Sequence, residues 1–206
     1  MSDDNLKNVV EAALLAAGRP LDVEAIRELF DEFERPDGLE VRTALAALES
    51  DYLGRGIELK EVASGFRIQV REAVVADVSR LWQERPARYS RALLETLALI
   101  AYRQPVTRGE IEDIRGVTVN PNIVRTLTDR SWIRVIGHRD VPGRPELLAT
   151  TREFLDYFGL KTLDDLPTLA QLREVATLGV QLEFDGPGPD MPAADESPDP
   201  PLPAAG

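Results

Sequence analysis

The chain has 206 residues, 43% of them hydrophobic, no cysteine and a formal net charge of −12. The lack of cysteine excludes disulfides and thiolate metal sites, and no run of 18 apolar residues is present that could cross a bilayer. A chain this acidic should bind nucleic acid poorly by itself, because phosphate contacts dominate such affinity.

The charge is unevenly spread: residues 1–82 carry −7, residues 86–160 carry +2 and residues 161–206 carry −7. Only the middle block could approach DNA without strong repulsion. The N-terminal MSDDNLK has no secretory pattern, which points to a cytoplasmic protein.

Leu6, Val9, Val10, Ala13, Leu14 and Ala17 share one face of an amphipathic helix that Gly18-Arg19-Pro20 ends. Asp22 can cap a second helix with Val23, Ile26, Phe30 and Phe33 on one face. After a polar loop around Arg35-Pro36-Asp37-Gly38, Val41, Leu45, Leu48 and Tyr52 mark a third helix. Ile57 and Leu59, then Phe66, Ile68 and Val70, alternate with polar residues across a Ser64-Gly65 turn and predict a hairpin. Three helices and a hairpin describe a first winged helix over residues 1–72. Residues 73–89 read as a connecting helix, with Val74, Val75, Val78, Leu81 and Trp82 on one face, followed by a hinge that Pro86 breaks.

Residues 90–167 repeat the plan. Leu93, Leu97, Ile100 and Ala101 form the inner face of a helix stopped by Gln104-Pro105. Thr107 and Glu110 have capping-box spacing, Ile111 and Ile114 should face inward, and Ile123, Val124 and Leu127 mark a third helix. A strand over 132–136, a turn at Asp140-Val141-Pro142-Gly143 and a return strand over 146–149 make the hairpin, with Thr150 and Glu153 a further capping-box pair. The two copies align without gaps at an offset of 85, with Ala13-Leu14-Leu15-Ala16 on Ala98-Leu99-Ile100-Ala101, Pro20 on Pro105, Asp22 on Thr107 and Ile26 on Ile111. The offset drifts to 79 at Leu45/Val124 and Leu48/Leu127. The expected fold is therefore mostly α with small β-hairpins (α+β), as two tandem winged-helix domains. Residues 168–184 suggest a short docking helix. Residues 185–206 hold seven prolines, five acids and no Lys or Arg, a composition expected to be disordered.

No enzyme signature is present. There is no P-loop, the single histidine His138 sits at the base of the second hairpin, and Asp164 and Asp165 after Thr162 read as helix capping. No cofactor is expected. Arg139, Asp140, Pro142, Gly143, Arg144 and Pro145 form a basic, stiff turn suited to binding, since proline lowers the entropy lost on contact. Arg125 and Arg130 lie where a DNA-reading helix would place groove contacts, but Asp129 opposes that use.

The run ALLETLALIAYRQPVTRGEIEDIRGV, followed by GRP, TTREFLDYFGLK and TLDDLP, closely resembles the segregation and condensation protein B family. The resemblance covers about residues 6–167 and is strongest from 90 to 167. It implies two winged-helix domains, no enzymatic activity and a homodimer formed largely through the N-terminal domains. It also implies that the C-terminal domain binds the kleisin subunit, segregation and condensation protein A, in a complex with the SMC ATPase. That complex condenses and segregates chromosomes, which places the protein at the nucleoid and leaves any DNA contact indirect. The chain departs from the family pattern at Thr118–Asn122, at Leu148 and at Ala149, which bears on details of the hairpin. The residues expected to touch the partner are Tyr102, Arg103, Gln104, Arg108, Arg115, Arg139, Gly143, Arg144 and Pro145. Tyr102 would be an aromatic anchor, the arginines charge partners and Gly143-Arg144-Pro145 a rigid rim. The alternative reading is a winged-helix transcriptional regulator that binds DNA.

Overall fold

The computed structural model describes residues 3–81 and 89–168. The expected hinge at 83–88, the docking segment beyond Thr168 and the acidic tail lie outside the described residues. The described chain is a mixture of short helices and two small antiparallel sheets, built around two hydrophobic clusters.

The first cluster forms as the sequence patterns require. Helix α1 (Asp3–Ala16) buries Leu6, Val10 and Leu14, one residue per turn along a single stripe. Asp22 caps α2 (Val23–Arg27) by accepting a 2.8 Å bond from the Ala25 N–H. Helix α3 (Gly38–Asp51) starts at a capping box in which Asp37 accepts from Leu39 and Glu40, and the Glu40 carboxylate accepts from the Asp37 N–H. Its buried face is Val41, Ala44, Leu45 and Leu48, continued by Tyr52, whose hydroxyl donates to Glu11 at 2.7 Å. Strands β1 (Ile57–Val62) and β2 (Gly65–Val70) pair antiparallel around an Ala63-Ser64 turn.

Helix α2 is shorter than its apolar spacing predicts. Tight three-residue bonds from the N–H groups of Leu29 and Phe30 end it, and the Arg27 side chain reaches over to the Pro36 carbonyl. Phe30 still packs on the first cluster, but Phe33 falls beyond the helix and is fully exposed. In the connecting segment, α4 (Glu72–Val78) keeps Val74, Val75 and Val78 half-buried and then tightens into a 3-10 turn (Ser79–Leu81). The change of pitch swings Leu81 off that face, leaving it 77% exposed.

The second cluster is built on α5 (Arg91–Arg103), capped by Ser90 and burying Leu93, Thr96, Leu97, Ile100 and Ala101. Thr107 and Glu110 form the expected capping box at the start of α6 (Arg108–Arg115). Asn120 caps α7 (Pro121–Asp129), where Pro121 takes the first-turn position that needs no N–H. Strand β4 (Ile133–His138) carries a bulge at Ile136 and pairs with β5 (Glu146–Thr150). A two-residue strand not foreseen from the sequence, β3 (Val106–Thr107), closes the other side of β5 and gives the order β3-β5-β4. Helix α8 (Arg152–Tyr157) is capped by Thr151, whose hydroxyl accepts from the Phe154 N–H, and not by Thr150, which is the last residue of β5 and donates its N–H and hydroxyl to Gln104. Ile114 is 52% exposed and not core: α6 is only two turns long and turns just one apolar residue, Ile111, inward.

Part of the internal repeat is visible in three dimensions. Leu21 pairs with Phe66 through bonds of 2.8 and 2.9 Å, as β3 pairs with β5. Leu21 and Val106 are 85 positions apart, as are the caps Asp22 and Thr107 and the fully buried Ile26 and Ile111. At the first helices the matching letters do not match in burial, since Leu15 is 63% exposed and Ile100 is fully buried. A helix can rotate about its axis between copies while its ends stay in register.

Among the described residues, the two units meet at the tip of the first hairpin. The Ala63 N–H donates to the Leu160 carbonyl at 3.0 Å and the Ser64 N–H to Asp156 Oδ1 at 2.9 Å. Lys161 pairs with Glu61 at 2.8 Å beside them.

Candidate partner-binding surface

The end of α5 carries three consecutive candidates with three different situations. Tyr102 is half-buried and donates its hydroxyl to the Pro167 carbonyl, at 2.5 Å, pinning the end of the described chain. Burial raises its pKa above the ordinary phenol value. Arg103 is exposed and, among the described residues, pairs with no carboxylate. Gln104 Oε1 accepts from the Thr150 N–H at 2.7 Å and from its hydroxyl at 3.0 Å, while Nε2 donates to Ala101. Gln104 thus fastens α5 to β5 and has little hydrogen-bonding capacity left for a partner.

Three of the arginines are engaged inside the fold. Arg108 donates to Glu112 at 3.0 Å and to the Val119 carbonyl at 2.7 Å, while the same Glu112 oxygen accepts from the Val119 N–H at 2.9 Å. Together they hold the loop that carries buried Val119 into the second cluster. Arg115 has a side chain only 11% exposed and bridges α6 to Glu95 and Thr96 on α5. Its Nε is buried and, among the described residues, has no hydrogen-bond acceptor. Arg139 pairs with Glu110 at 2.8 Å and so ties the hairpin to α6.

The hairpin turn itself projects. The Arg139 N–H donates to Pro145, the Val141 N–H to Arg139 and the Arg144 N–H to Val141, each at 2.9 Å. Gly143 and Arg144 both adopt positive φ, 86° and 39°. Residues 139–144 are all exposed, and Arg144 meets no carboxylate among the described residues.

Two grooves flank this turn. One, of about 460 Å³, lies between Pro121, Val124 and Arg125 of α7 and Pro145, Glu146 and Leu148 of the return strand, with Arg108 at its edge. The other, of about 390 Å³, runs between Arg103, Pro105 and Val106 on one side and Glu110, Asp113, Ile114 and Arg139 on the other. The candidates are therefore divided: Arg108 and Pro145 border the first groove, and Arg103 and Arg139 the second. Ile114 was missed as a surface residue because its spacing from Ile111 imitates a core stripe. In the sequence Val124 reads only as part of an apolar helix face and Arg125 only as a DNA-facing position, so neither marks a wall of this groove.

The electrostatics of this region are set by local bonds. Glu110 is held below its ordinary pKa chiefly by the Thr107 N–H, then by the Thr107 hydroxyl and Arg139. Glu112 is lowered chiefly by the Val119 N–H and then by Arg108. A carboxylate whose folded pKa is depressed adds stability that is present above its unfolded pKa and is lost as pH falls through the folded value. The chain is accordingly expected to lose stability below the ordinary carboxylate range. Glu112→Gln should make that acid limb shallower while lowering stability at neutral pH. Chemical denaturation midpoints measured across an acid series check this, and an acid limb of unaltered slope would count against it.

Comparison with known proteins adds a finding of a different kind. The model of the family described as segregation and condensation complex subunit ScpB matches residues 8–169. A segregation and condensation protein B homolog of Coxiella burnetii is 52% identical over 182 residues, covering 88% of this chain and 87% of its own. Segregation and condensation protein B of Syntrophotalea carbinolica is 44% identical, with 90% and 92% covered. Among solved structures, ScpB from Mycobacterium tuberculosis is 34% identical with a TM-score of 0.37, covering 78% of this chain and 98% of its own. A dimer of ScpB N-terminal domain complexed with ScpA peptide is 27% identical with a TM-score of 0.34, covering 38% of this chain and 96% of its own.

Proposed function

Because the chain belongs to the segregation and condensation complex subunit ScpB family, we propose that it is a non-enzymatic adaptor whose second unit grips a kleisin, segregation and condensation protein A. In this reading the units are tandem winged helices over residues 1–72 and 90–167, and the chain dimerises through the first. It reaches the SMC ATPase and the chromosome only through the kleisin. The matched pairings of Leu21 with β2 and of β3 with β5 support the tandem architecture.

The observation that carries the binding proposal is the contrast among the arginines. Arg103 and Arg144 face solvent and, among the described residues, have no carboxylate partner, at the edge of one groove and on the projecting turn. Arg108, Arg115 and Arg139 already serve the fold. A partner segment with acidic residues set beside apolar ones would meet free cations at Arg103 and Arg144 and an apolar floor at Ile114. Tyr102 and Pro145 supply rigid edges, and Gly143 allows the turn that presents Arg144.

Arg144→Ala should weaken kleisin affinity by roughly tenfold, about 1.4 kcal/mol, without moving the thermal unfolding midpoint. Arg103→Ala should act in the same direction and Arg115→Ala chiefly on stability. Calorimetry with the purified kleisin decides this, and unchanged affinity in both exposed variants removes the site assignment. The same preparations settle the DNA alternative. Arg125 pairs with Asp129 at 3.6 Å, and Arg130 lies over aromatic rings, so the third helix offers little free charge to a phosphate backbone. A gel shift by the protein alone that survives about 150–200 mM salt would favour DNA.

A further inference from the structure

The two hairpin tips hold corresponding places in the repeat and have opposite surroundings. Residues 139–144 of the second are all exposed. In the first, Val62 is 2% exposed and residues 63–65 are half-buried, although turns of this kind normally sit in solvent.

Gly65 is covered by the Leu21–Asp22 backbone of its own unit, while Ala63 and Ser64 are met by the end of α8. Helix α8 stops with Gly159 at φ 67°, and the Leu160 N–H returns to the Leu155 carbonyl at 2.8 Å. This is a glycine-terminated helix end, in which the left-handed residue redirects the chain. The redirection leaves the Leu160 carbonyl facing the Ala63 N–H and brings Asp156 Oδ1 to the Ser64 N–H. Lys161 and Glu61 close an ion pair at the rim. Arg67, half-buried beside Asp156 and near Gly159, completes the contact and has its pKa lowered by desolvation. Two turn N–H groups that solvent would otherwise satisfy are thus satisfied by the other unit.

We propose that the first hairpin tip is an internal latch, which docks on the α8 terminus through Ser64–Asp156, Ala63–Leu160 and Glu61–Lys161 and fixes how the two units are oriented. The second tip is thereby the one free to contact other molecules. Among the described residues, the latch is built from a few polar bonds and one exposed ion pair. It can open without unfolding either cluster, and a partner that gripped the α8 end would have to displace the tip. This inference rests on contacts within the chain and is independent of the kleisin assignment.

The chain contains no cysteine, so a reporter pair can be placed cleanly. Spin labels at Glu49→Cys and Asp140→Cys, both exposed positions in different units, report the inter-unit distance by pulsed electron resonance. The labelled full-length chain is diluted in excess unlabelled chain so that only distances within one chain are read. The expected result is one narrow distance population that broadens roughly twofold in Asp156→Ala and in Lys161→Glu, as weakly coupled units do. Adding Glu61→Lys to Lys161→Glu should restore the narrow population, and unfolding midpoints confirm that both clusters persist. A distribution already broad in the unaltered chain overturns the latch. So does one that neither variant changes, or a narrow population that vanishes on dilution, which would make the contact one between protomers.

Discussion

Replacing Gly65 with alanine is expected to dismantle the first unit's sheet and lower its stability by about 3 kcal/mol or more, combining a disfavoured backbone region with a steric overlap. Gly65 opens β2 at φ 132°, a conformation that side-chain-bearing residues rarely adopt. A Cβ there would lie 2.3 Å from the Leu21 carbonyl carbon and oxygen and 2.5 Å from the Asp22 nitrogen. All three atoms are backbone, so no side-chain rotation relieves the clash. The Leu21–Phe66 pairing and the Asp22 cap of α2 depend on that close approach. Denaturant unfolding followed by circular dichroism is the measurement. A variant as stable as the parent would show that the chain does not pass so close to β2. Gly54, with open space around its Cβ position, is the matched control: alanine there should cost only the price of its own positive φ.

Trp132→Ala should be the most damaging change in the second unit, with a loss of about 3–5 kcal/mol, typical of deleting a buried aromatic. Trp132 is 3% exposed, and its ring centroid lies 5.2 Å from Tyr89, 4.6 Å from Tyr157 and 5.4 Å from Phe158. The Arg130 guanidinium stands 4.7 Å from the Tyr89 ring centroid and 5.4 Å from that of Trp132, and donates to the Tyr89 hydroxyl at 2.6 Å. Removing the indole therefore leaves a cavity and also strips one side from a charged group that relies on aromatic faces. Trp132→Phe should recover more than half of the loss. Equilibrium unfolding with near-ultraviolet dichroism tests both, and an alanine variant within about 1 kcal/mol of the parent would contradict the packing described.

What the sequence could disclose follows from how local each determinant is. The caps at Asp22, Thr107 and Thr162 act over three residues, and each was readable from spacing alone. The long apolar stripes of α3 and α5 were equally clear. Short helices were not: the four apolar residues predicted for α2 and the two for α6 fit a helix that continues as well as one that stops. Phe33 and Ile114 were consequently placed inside when they lie outside. Strand β3 has two residues and no period to detect. The candidate site was legible as a region but not residue by residue, because the use of each arginine depends on distant partners. Arg115 is taken up by Glu95, 20 positions away, and Arg139 by Glu110, 29 positions away. Charge counts alone cannot separate those from Arg103 and Arg144.

The segment from Leu160 to Pro167 has a mechanical meaning. At one end its first carbonyl is held by Ala63, at its centre Thr162 and Asp165 cap each other, and at the other end Pro167 hangs from the Tyr102 hydroxyl. A pull on the chain beyond Thr168 loads these fastenings one after another, beginning at Tyr102. Bonds loaded in series peel at low force, whereas bonds loaded together must shear. Tension from that side would therefore unzip the strap stepwise toward the first unit while the buried cluster beneath α5 stays intact.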